Sequence, residues 1–107
     1  MAKKKARSRR PASTTILTEN INYPKGQGGT RINDRKYEAM RTAILKAMPR
    51  SKEGIAFRDL VRAVKPHLPR DWSGSVSWYV TTVKLDLEAK GEIARIEGSK
   101  PQRLRKG

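Results

Sequence analysis

The sequence predicts an α+β domain in which three helices are followed by a short C-terminal β-hairpin. The third helix carries the clearest evidence. Val76, Val80, Val83 and Leu87 recur at i, i+4, i+7 and i+11, which is the spacing of one buried helix face. Gly91 stands just after the last turn, where a glycine can adopt the left-handed conformation that ends a helix. We therefore expect a helix that ends at this glycine.

The hairpin is predicted from the residues that follow. Ile93 and Ile96 begin an extended segment, residues 98–101 interrupt it with a glycine and a proline, and residues 102–105 resume it. Two extended segments separated by so short a turn are typical of a β-hairpin. Its basic side chains are Arg95, Lys100, Arg103, Arg105 and Lys106.

Two shorter helices are predicted upstream. Asn33 or Asp34 can cap the first, and Pro49 ends it. Its apolar stripe consists of Tyr37, Met40, Ile44, Leu45 and Met48. Residues 55–57 are expected to form a brief strand that leads into the second helix. That helix would bury Leu60, Val61 and Val64, and prolines at 66 and 69 would stop it.

The link between the second and third helices is short, as a helix-turn-helix requires. Ser73 or Ser75 can cap the third helix. The expected core is small, and we predict a domain of low stability, about 3–5 kcal/mol. Its members are Tyr37, Met40, Ile44, Met48, Phe57, Leu60, Val61, Val64, Val80, Val83, Leu87, Ile93 and Ile96.

Charge divides the chain of 107 residues into three predicted parts. The formal net charge is +15, and the first 30 residues hold seven Lys or Arg against Glu19 alone. Residues 1–15 are expected to be a disordered basic arm, and residues 16–30 an extended, glycine-rich linker. Within that linker, residues 16–23 are extended in character and could dock a short strand or arm onto the domain. Residues 31–107 form the predicted domain, which is basic in its own right. The electrostatic field of so large a positive charge attracts polyanions, and nucleic acid is the first candidate among them.

The composition also narrows the functional class. Cysteine is absent, and the basic N-terminus has no apolar segment behind it, so we expect a cytoplasmic protein without membrane contacts. His67 is the sole histidine and is expected to be an exposed loop residue. Asp86 and Glu88 point to different sides of the third helix and are expected to be solvated. The glycines of residues 25–30 lack the Gly-Lys-Ser/Thr end of a phosphate loop. The sequence predicts neither an enzyme nor a cofactor or metal site.

Nucleic-acid binding is predicted from three features. The hairpin cations could reach phosphates or the minor groove, although a solvated hairpin is an equal alternative. The N-terminal arm would add salt-sensitive affinity that does not depend on sequence. The outer face of the third helix supplies hydroxyls and one flanking cation. The candidate residues are Ser75, Ser77, Trp78, Thr81, Thr82, Lys84, Arg95, Lys100, Arg103 and Arg105, with Lys3, Lys4, Lys5, Arg7, Arg9 and Arg10 on the arm.

The third helix is an unusual base-reading surface. Trp78 and Leu85 fall opposite its core stripe, where Arg, Asn, Gln or Lys would be expected on a helix that reads bases. Three interpretations of Trp78 remain open. It could fold back into the core under Trp72 or the N-terminal segment, form a partner or dimer surface together with Leu85, or contact nucleic acid.

The run from residue 80 to 96 resembles the winged helix-turn-helix superfamily. Members commonly end the recognition helix with Leu-Glu-x-x-Gly, here residues 87–91, and begin the wing with an aliphatic residue and then Arg, here Ile93 and Arg95. The chain also resembles a small bacterial family of winged-helix-like proteins without an assigned activity, across roughly residues 20–105. That likeness lies in residues 36–41, 66–69, 78–80 and 85–91.

The superfamily resemblance implies DNA binding through the third helix and the wing. The function expected is therefore a small basic winged-helix protein that binds nucleic acid, with DNA preferred over RNA and with modest sequence specificity. Trp78 and Leu85 depart from the usual polar surface, and winged helices also serve as protein-interaction modules. The alternative is accordingly a protein-interaction or homodimerisation module that uses the Trp78/Leu85 face.

Overall fold

The structure is a computed structural model that describes residues 14–24 and 27–107. In this part of the chain it is a small α+β domain with three α-helices and two small antiparallel sheets. The strands are β1 (Thr15–Glu19), β2 (Gly28–Asn33), β3 (Ile55–Ala56), β4 (Ile93–Arg95) and β5 (Arg103–Lys106). The helices are α1 (Asp34–Ala47), α2 (Phe57–Val64) and α3 (Val76–Ala89), and a 3₁₀ turn, Lys65–His67, follows α2.

The helix boundaries follow from local capping. The Asn33 side chain accepts hydrogen bonds from the backbone N–H groups of Arg35 and Lys36, which begins α1 as predicted. The Ser75 side chain accepts from the N–H of Trp78 and begins α3. Gly91 has φ +79°, the left-handed conformation expected after that helix.

The C-terminal hairpin is held in a three-stranded sheet of order β3–β5–β4. The short strand before α2 pairs with β5, where Ile55 lies opposite Leu104. On its other side β5 pairs with β4, where Arg95 lies opposite the same leucine. Because β5 is the central strand, the hairpin and the start of α2 form one unit.

The core lies between the three helices and this sheet. The predicted members Met40, Ile44, Leu60, Val80 and Leu87 are completely buried. Leu104 is equally buried, and Ile32 and Ala43 also belong to the core; none of these three was predicted. Phe57, Val61 and Ile96 are only half-buried, in contrast to the prediction.

Residues 16–30 differ from the linker that the sequence predicts. β1 and β2 form an antiparallel hairpin in which Ile16 lies opposite Ile32, and both residues pack on the core. The Thr18 hydroxyl donates to the carbonyl of Thr30 at 2.7 Å and accepts from its N–H at 3.0 Å. The N-terminal hairpin is thus part of the domain.

A buried carboxylate fastens that hairpin to the helices. Asp86 on α3 is completely buried and accepts a hydrogen bond from the backbone N–H of Glu19 at 2.8 Å. The Tyr37 hydroxyl donates to its other oxygen, and the Lys90 ammonium lies 2.9 Å from the carboxylate. The expectation that Asp86 is solvated is therefore wrong, because β1 and α1 cover this side of α3.

Candidate nucleic-acid interface

The tip of the C-terminal hairpin is fixed by its own hydrogen bonds. Gly98 turns the chain at φ +79°. The Ser99 hydroxyl then donates to the carbonyl of Ile96 and accepts from the N–H of Arg103, each at 3.0 Å. Side chains on this hairpin are therefore presented from a defined backbone.

Three of the hairpin cations are available to a ligand. Lys100, Arg105 and Lys106 are exposed. Arg105 donates to the backbone carbonyl of Lys106 at 3.1 Å. None of the three is paired with a carboxylate in the described part of the chain. These side chains can approach an anion without first breaking an ion pair.

The other two predicted hairpin contacts have structural partners. The Arg103 guanidinium donates to the carbonyls of Glu53 and Gly54, at 2.8 and 3.1 Å, and so ties β5 to the loop before β3. The Arg95 guanidinium pairs with the Glu88 carboxylate and donates to the Asn22 side chain at 3.3 Å. Both arginines position the hairpin, although Arg95 remains exposed and Arg103 half-buried.

Lys84 differs most from its predicted role on the flank of α3. It is 5% exposed, and its ammonium lies 3.0 Å from the Glu88 carboxylate and 5.2 Å from the centre of the Phe57 ring. The first turn of α2 and the Arg95 side chain cover this flank, so Lys84 cannot contact a ligand there. Glu88 is buried with it, which corrects the expectation that this carboxylate is solvated.

The outer face of α3 consequently carries no exposed charge. The three charged residues of the helix, Lys84, Asp86 and Glu88, are all buried. The face presents Ser77 and Thr81, which are exposed, and Thr82 and Leu85, which are half-buried. The Thr81 hydroxyl already donates to the carbonyl of Ser77 at 2.8 Å, and the hydroxyl of Ser75 caps the helix. This surface can enter a groove but offers few groups for reading bases.

Trp78 lies on the same face and is 46% exposed, which disfavours the first of its three interpretations, that it folds back into the core. Its ring packs edge-on against Tyr79, with 4.9 Å between centroids, and Tyr79 packs edge-on against Trp72 at 5.1 Å. The Lys36 ammonium lies 5.1 Å from the Tyr79 centroid and donates to the carbonyl of Ser73 at 2.7 Å. One side of Trp78 is thus supported while the other faces solvent, where either a protein or a nucleic acid could cover it.

The predicted basic arm lies outside the described residues. This applies to all six of its candidate cations, Lys3, Lys4, Lys5, Arg7, Arg9 and Arg10. His67 lies in the 3₁₀ turn and is exposed, as expected.

Two surfaces were missed in the sequence. The N-terminal hairpin and the end of α3 enclose an open cleft of about 650 Å³, lined by Leu17, Ile21, Tyr23 and Ala89 among others. The apolar residues of segment 16–23 could have indicated this cleft in the sequence. The second is a basic stripe along α2 and the start of the 3₁₀ turn after it, which the spacing i, i+4, i+7 of Arg58, Arg62 and Lys65 could have indicated.

Neither a metal centre nor a membrane span is found in residues 14–24 and 27–107. No three His, Asp or Glu side chains lie together as metal ligands would. No helix there combines the length and apolar character that crossing a bilayer requires.

Comparison with known proteins identifies a family for the chain. Neither a curated protein nor a solved structure is detectably similar to the chain. Residues 15–104 match DUF6958, a family of unknown function. The match starts with β1 and reaches β5, so it covers both hairpins and all three helices. The chain therefore belongs to the DUF6958 family.

Proposed function

We propose that this protein is a winged-helix domain that binds duplex DNA with modest sequence specificity. The observation that carries the proposal is the β4–β5 hairpin beside an uncharged helix face: it presents Lys100, Arg105 and Lys106, and none of them has a carboxylate partner among the described residues. The net charge of +15 supports a polyanionic ligand.

The order of elements supports the winged-helix assignment. From residue 34 onward the chain runs α1, β3, α2, α3, β4, β5, and β3 pairs with the last strand. In a winged helix this pairing joins the first strand to the hairpin, so that the recognition helix and the wing have a fixed relationship. Here α3 would be the recognition helix and the β4–β5 hairpin the wing.

The binding mechanism follows from the distribution of charge. The three exposed cations of the hairpin would bind phosphate oxygens, and the N-terminal arm would add further phosphate contacts. The α3 face would lie along the groove and contribute hydroxyls and an aromatic ring instead of paired base contacts. Phosphate contacts fix position without reading sequence, so the specificity expected is modest.

A salt titration tests this proposal. Duplex binding is measured by fluorescence anisotropy for the full chain and for the triple variant Lys100→Gln/Arg105→Gln/Lys106→Gln. Each lost phosphate contact should flatten the slope of log K against log salt by about 0.9. Arg103 is left out, because its substitution would also release the loop at Glu53. An unchanged slope in the triple variant would refute the role of the hairpin.

The half-exposed Trp78 favours a second candidate function. A supported aromatic ring on a neutral helix face is the kind of surface that protein partners bury. Under this alternative the domain would form a homodimer or bind another protein through Trp78 and Leu85. Sedimentation velocity across a range of concentrations tests it. A dimer that Trp78→Ser abolishes, with the circular dichroism spectrum unchanged, would favour this function, and a monomer at every concentration would exclude the homodimer.

A further inference from the structure

α2 and the first residue of the 3₁₀ turn that follows it carry a row of exposed cations that the proposed interface does not yet include. Arg58, Arg62 and Lys65 are spaced at i, i+4 and i+7, and all three are exposed. Residues at this spacing share one face of a helix. They form what we call the α2 stripe.

The fold does not account for the α2 stripe. The packing of α2 depends on its opposite side, where Leu60 and Val64 are completely buried. No stripe residue has a carboxylate partner among residues 14–24 and 27–107. Like charges one turn apart disfavour a helix, and this helix has only eight residues. The phosphates of a bound polyanion would attract these three cations and offset the repulsion between them.

The stripe begins beside the C-terminal hairpin. The N–H of Phe57 donates to the carbonyl of Gln102 at 3.0 Å, and β3 pairs with β5 immediately before it. The Phe57 ring also lies against Lys84, and Glu88, one turn along α3, pairs with Arg95 of β4. The first turn of α2 and the hairpin therefore border the same edge of α3. Cations on both elements can act on one ligand.

We propose that the α2 stripe is a second phosphate-binding surface for the duplex held by the hairpin, and that the combined contact recognises the DNA backbone and not its base sequence. The proposal rests on the proposed function. The stripe spans roughly 10 Å of helix axis at 1.5 Å per residue. One strand of B-DNA presents about three phosphates over that distance. The guanidinium groups of Arg58 and Arg62 can bind phosphate through two parallel hydrogen bonds, and Lys65 through its charge.

The width of the major groove favours DNA over RNA as the duplex that the α3 face enters. The major groove of B-DNA is about 12 Å wide and admits a helix, whereas the major groove of A-form RNA is too narrow to admit one. A helix with an uncharged outer surface can enter that groove while α2 and the hairpin bind the backbone. The duplex we assign to this surface is therefore DNA.

The test compares three triple variants of the full chain that each lose three positive charges. The stripe variant is Arg58→Gln/Arg62→Gln/Lys65→Gln, and the hairpin variant is that of the salt titration above. The matched control, Arg31→Gln/Arg35→Gln/Lys46→Gln, removes exposed cations from β2 and α1. Anisotropy is measured against two unrelated DNA duplexes of about 20 base pairs and an RNA duplex, between roughly 50 and 200 mM salt. Thermal melts monitored by circular dichroism establish that each variant folds.

The expected result is a slope that flattens by roughly two to three units in the stripe variant and equally on both DNA duplexes. The double variant Arg58→Lys/Arg62→Lys keeps the charge and should keep the slope. If the triple variant does not fold, the single variant Arg62→Gln should still flatten the slope by about 0.9.

Other outcomes separate the two proposals. An unchanged slope in the stripe variant, with a flattened slope in the hairpin variant, overturns the stripe and leaves the proposed function intact. If neither variant changes the slope, the proposed function fails as well. An equally large effect in the control would mean that net charge alone attracts the duplex, which overturns the stripe. If a variant loses affinity for only one of the two DNA duplexes, the contact does not recognise the backbone alone. If the wild type binds the RNA duplex equally well, the assignment to DNA is contradicted.

Discussion

The completely buried carboxylate of Asp86 accepts the backbone N–H of Glu19 at 2.8 Å, across 67 positions of the chain. This bond joins the end of β1 to the last part of α3. The Tyr37 hydroxyl and the Lys90 ammonium bind the same carboxylate, so its charge is compensated within the domain. Asp86 thus couples the N-terminal hairpin to two of the helices.

Replacing Asp86 should loosen the hairpin more than the rest of the domain. Asp86→Ala removes the acceptor for the Glu19 N–H and for the Tyr37 hydroxyl, which then keeps only the hydrogen bond that it accepts from Lys90. We expect the free energy of unfolding to fall by about 3 kcal/mol, as for other buried charge networks. Amide hydrogen exchange should accelerate most at Glu19 and along β1. Asp86→Asn, which retains an acceptor oxygen, is the control and should preserve more of the protection at Glu19. Equal exchange rates at Glu19 in the wild type and the alanine variant would contradict the proposed coupling.

The same cluster predicts a loss of stability at high pH. Burial and the hydrogen bond to Asp86 raise the pKa of Tyr37 above its ordinary 10.0. Burial alone would lower the pKa of Lys90, but Asp86 and Tyr37 raise it above 10.5. Above these ordinary values the unfolded chain loses protons that the folded protein retains, so the free energy of unfolding falls as pH rises. The contribution is complete below pH 10 and disappears through the raised pKa values.

Urea melts of the wild type and Tyr37→Phe measure this effect. The stability advantage of the wild type should be constant up to about pH 9 and should shrink above pH 10, because the variant lacks the phenol. An advantage that stays the same, or grows, between about pH 9 and 11 would show that Tyr37 does not titrate as its surroundings indicate.

The two partners of the buried Lys84–Glu88 pair should respond unequally to substitution. Glu88→Gln leaves the 5% exposed ammonium of Lys84 without a counter-charge and also releases Arg95, and we expect a loss of about 3–5 kcal/mol. Lys84→Met replaces the ammonium by an apolar group against the Phe57 ring, while Glu88 keeps Arg95. We expect this change to be nearly neutral, within about 1 kcal/mol. Chemical denaturation of both variants measures the difference, and a larger loss for Lys84→Met would contradict the interpretation.

Gly54 should be indispensable to the contact between α2 and the C-terminal hairpin. It has φ +63°, and a Cβ at this position would overlap the carbonyl of Leu104 on β5. We expect Gly54→Ala to destabilise the domain by about 2 kcal/mol or more, since the strain adds to the steric conflict. Gly98→Ala is the matched control, because it has φ +79° but no atom near the added Cβ. Equal melting temperatures for the two variants would contradict the assigned role of Gly54.

Local patterns predicted most of the secondary structure. The caps Asn33 and Ser75, the glycine at 91 and the apolar stripe of α3 each act over a few residues, so the sequence displays them directly. For residues 16–30 the sequence predicted an extended segment that could dock a strand, but not its pairing with residues 28–33, because strand pairing is not local. Ile16 is paired by Ile32, and nothing within segment 16–23 indicates that β2 will lie beside it.

The candidate site was predicted less completely than the fold. The exposed cations Lys100 and Arg105 lie on the hairpin, as the sequence predicted, and the hairpin could be read from local turn residues. Lys84 was misplaced because helical periodicity gives the direction of a side chain but not what covers it. The coverage comes from Phe57 and Arg95, which are distant in sequence.

The sequence by itself determined the helices, the turn glycines and a basic charge that attracts polyanions, because capping, periodicity and composition act within short segments or over the whole chain. The tertiary structure alone decided which charges remain free. Asp86, Glu88 and Lys84 are buried among partners from β1, α1, α2 and β4, whereas the cations of the α2 stripe and Lys100, Arg105 and Lys106 of the hairpin are exposed. Burial depends on contacts between remote segments, so a charge acquires its role only when the chain is folded.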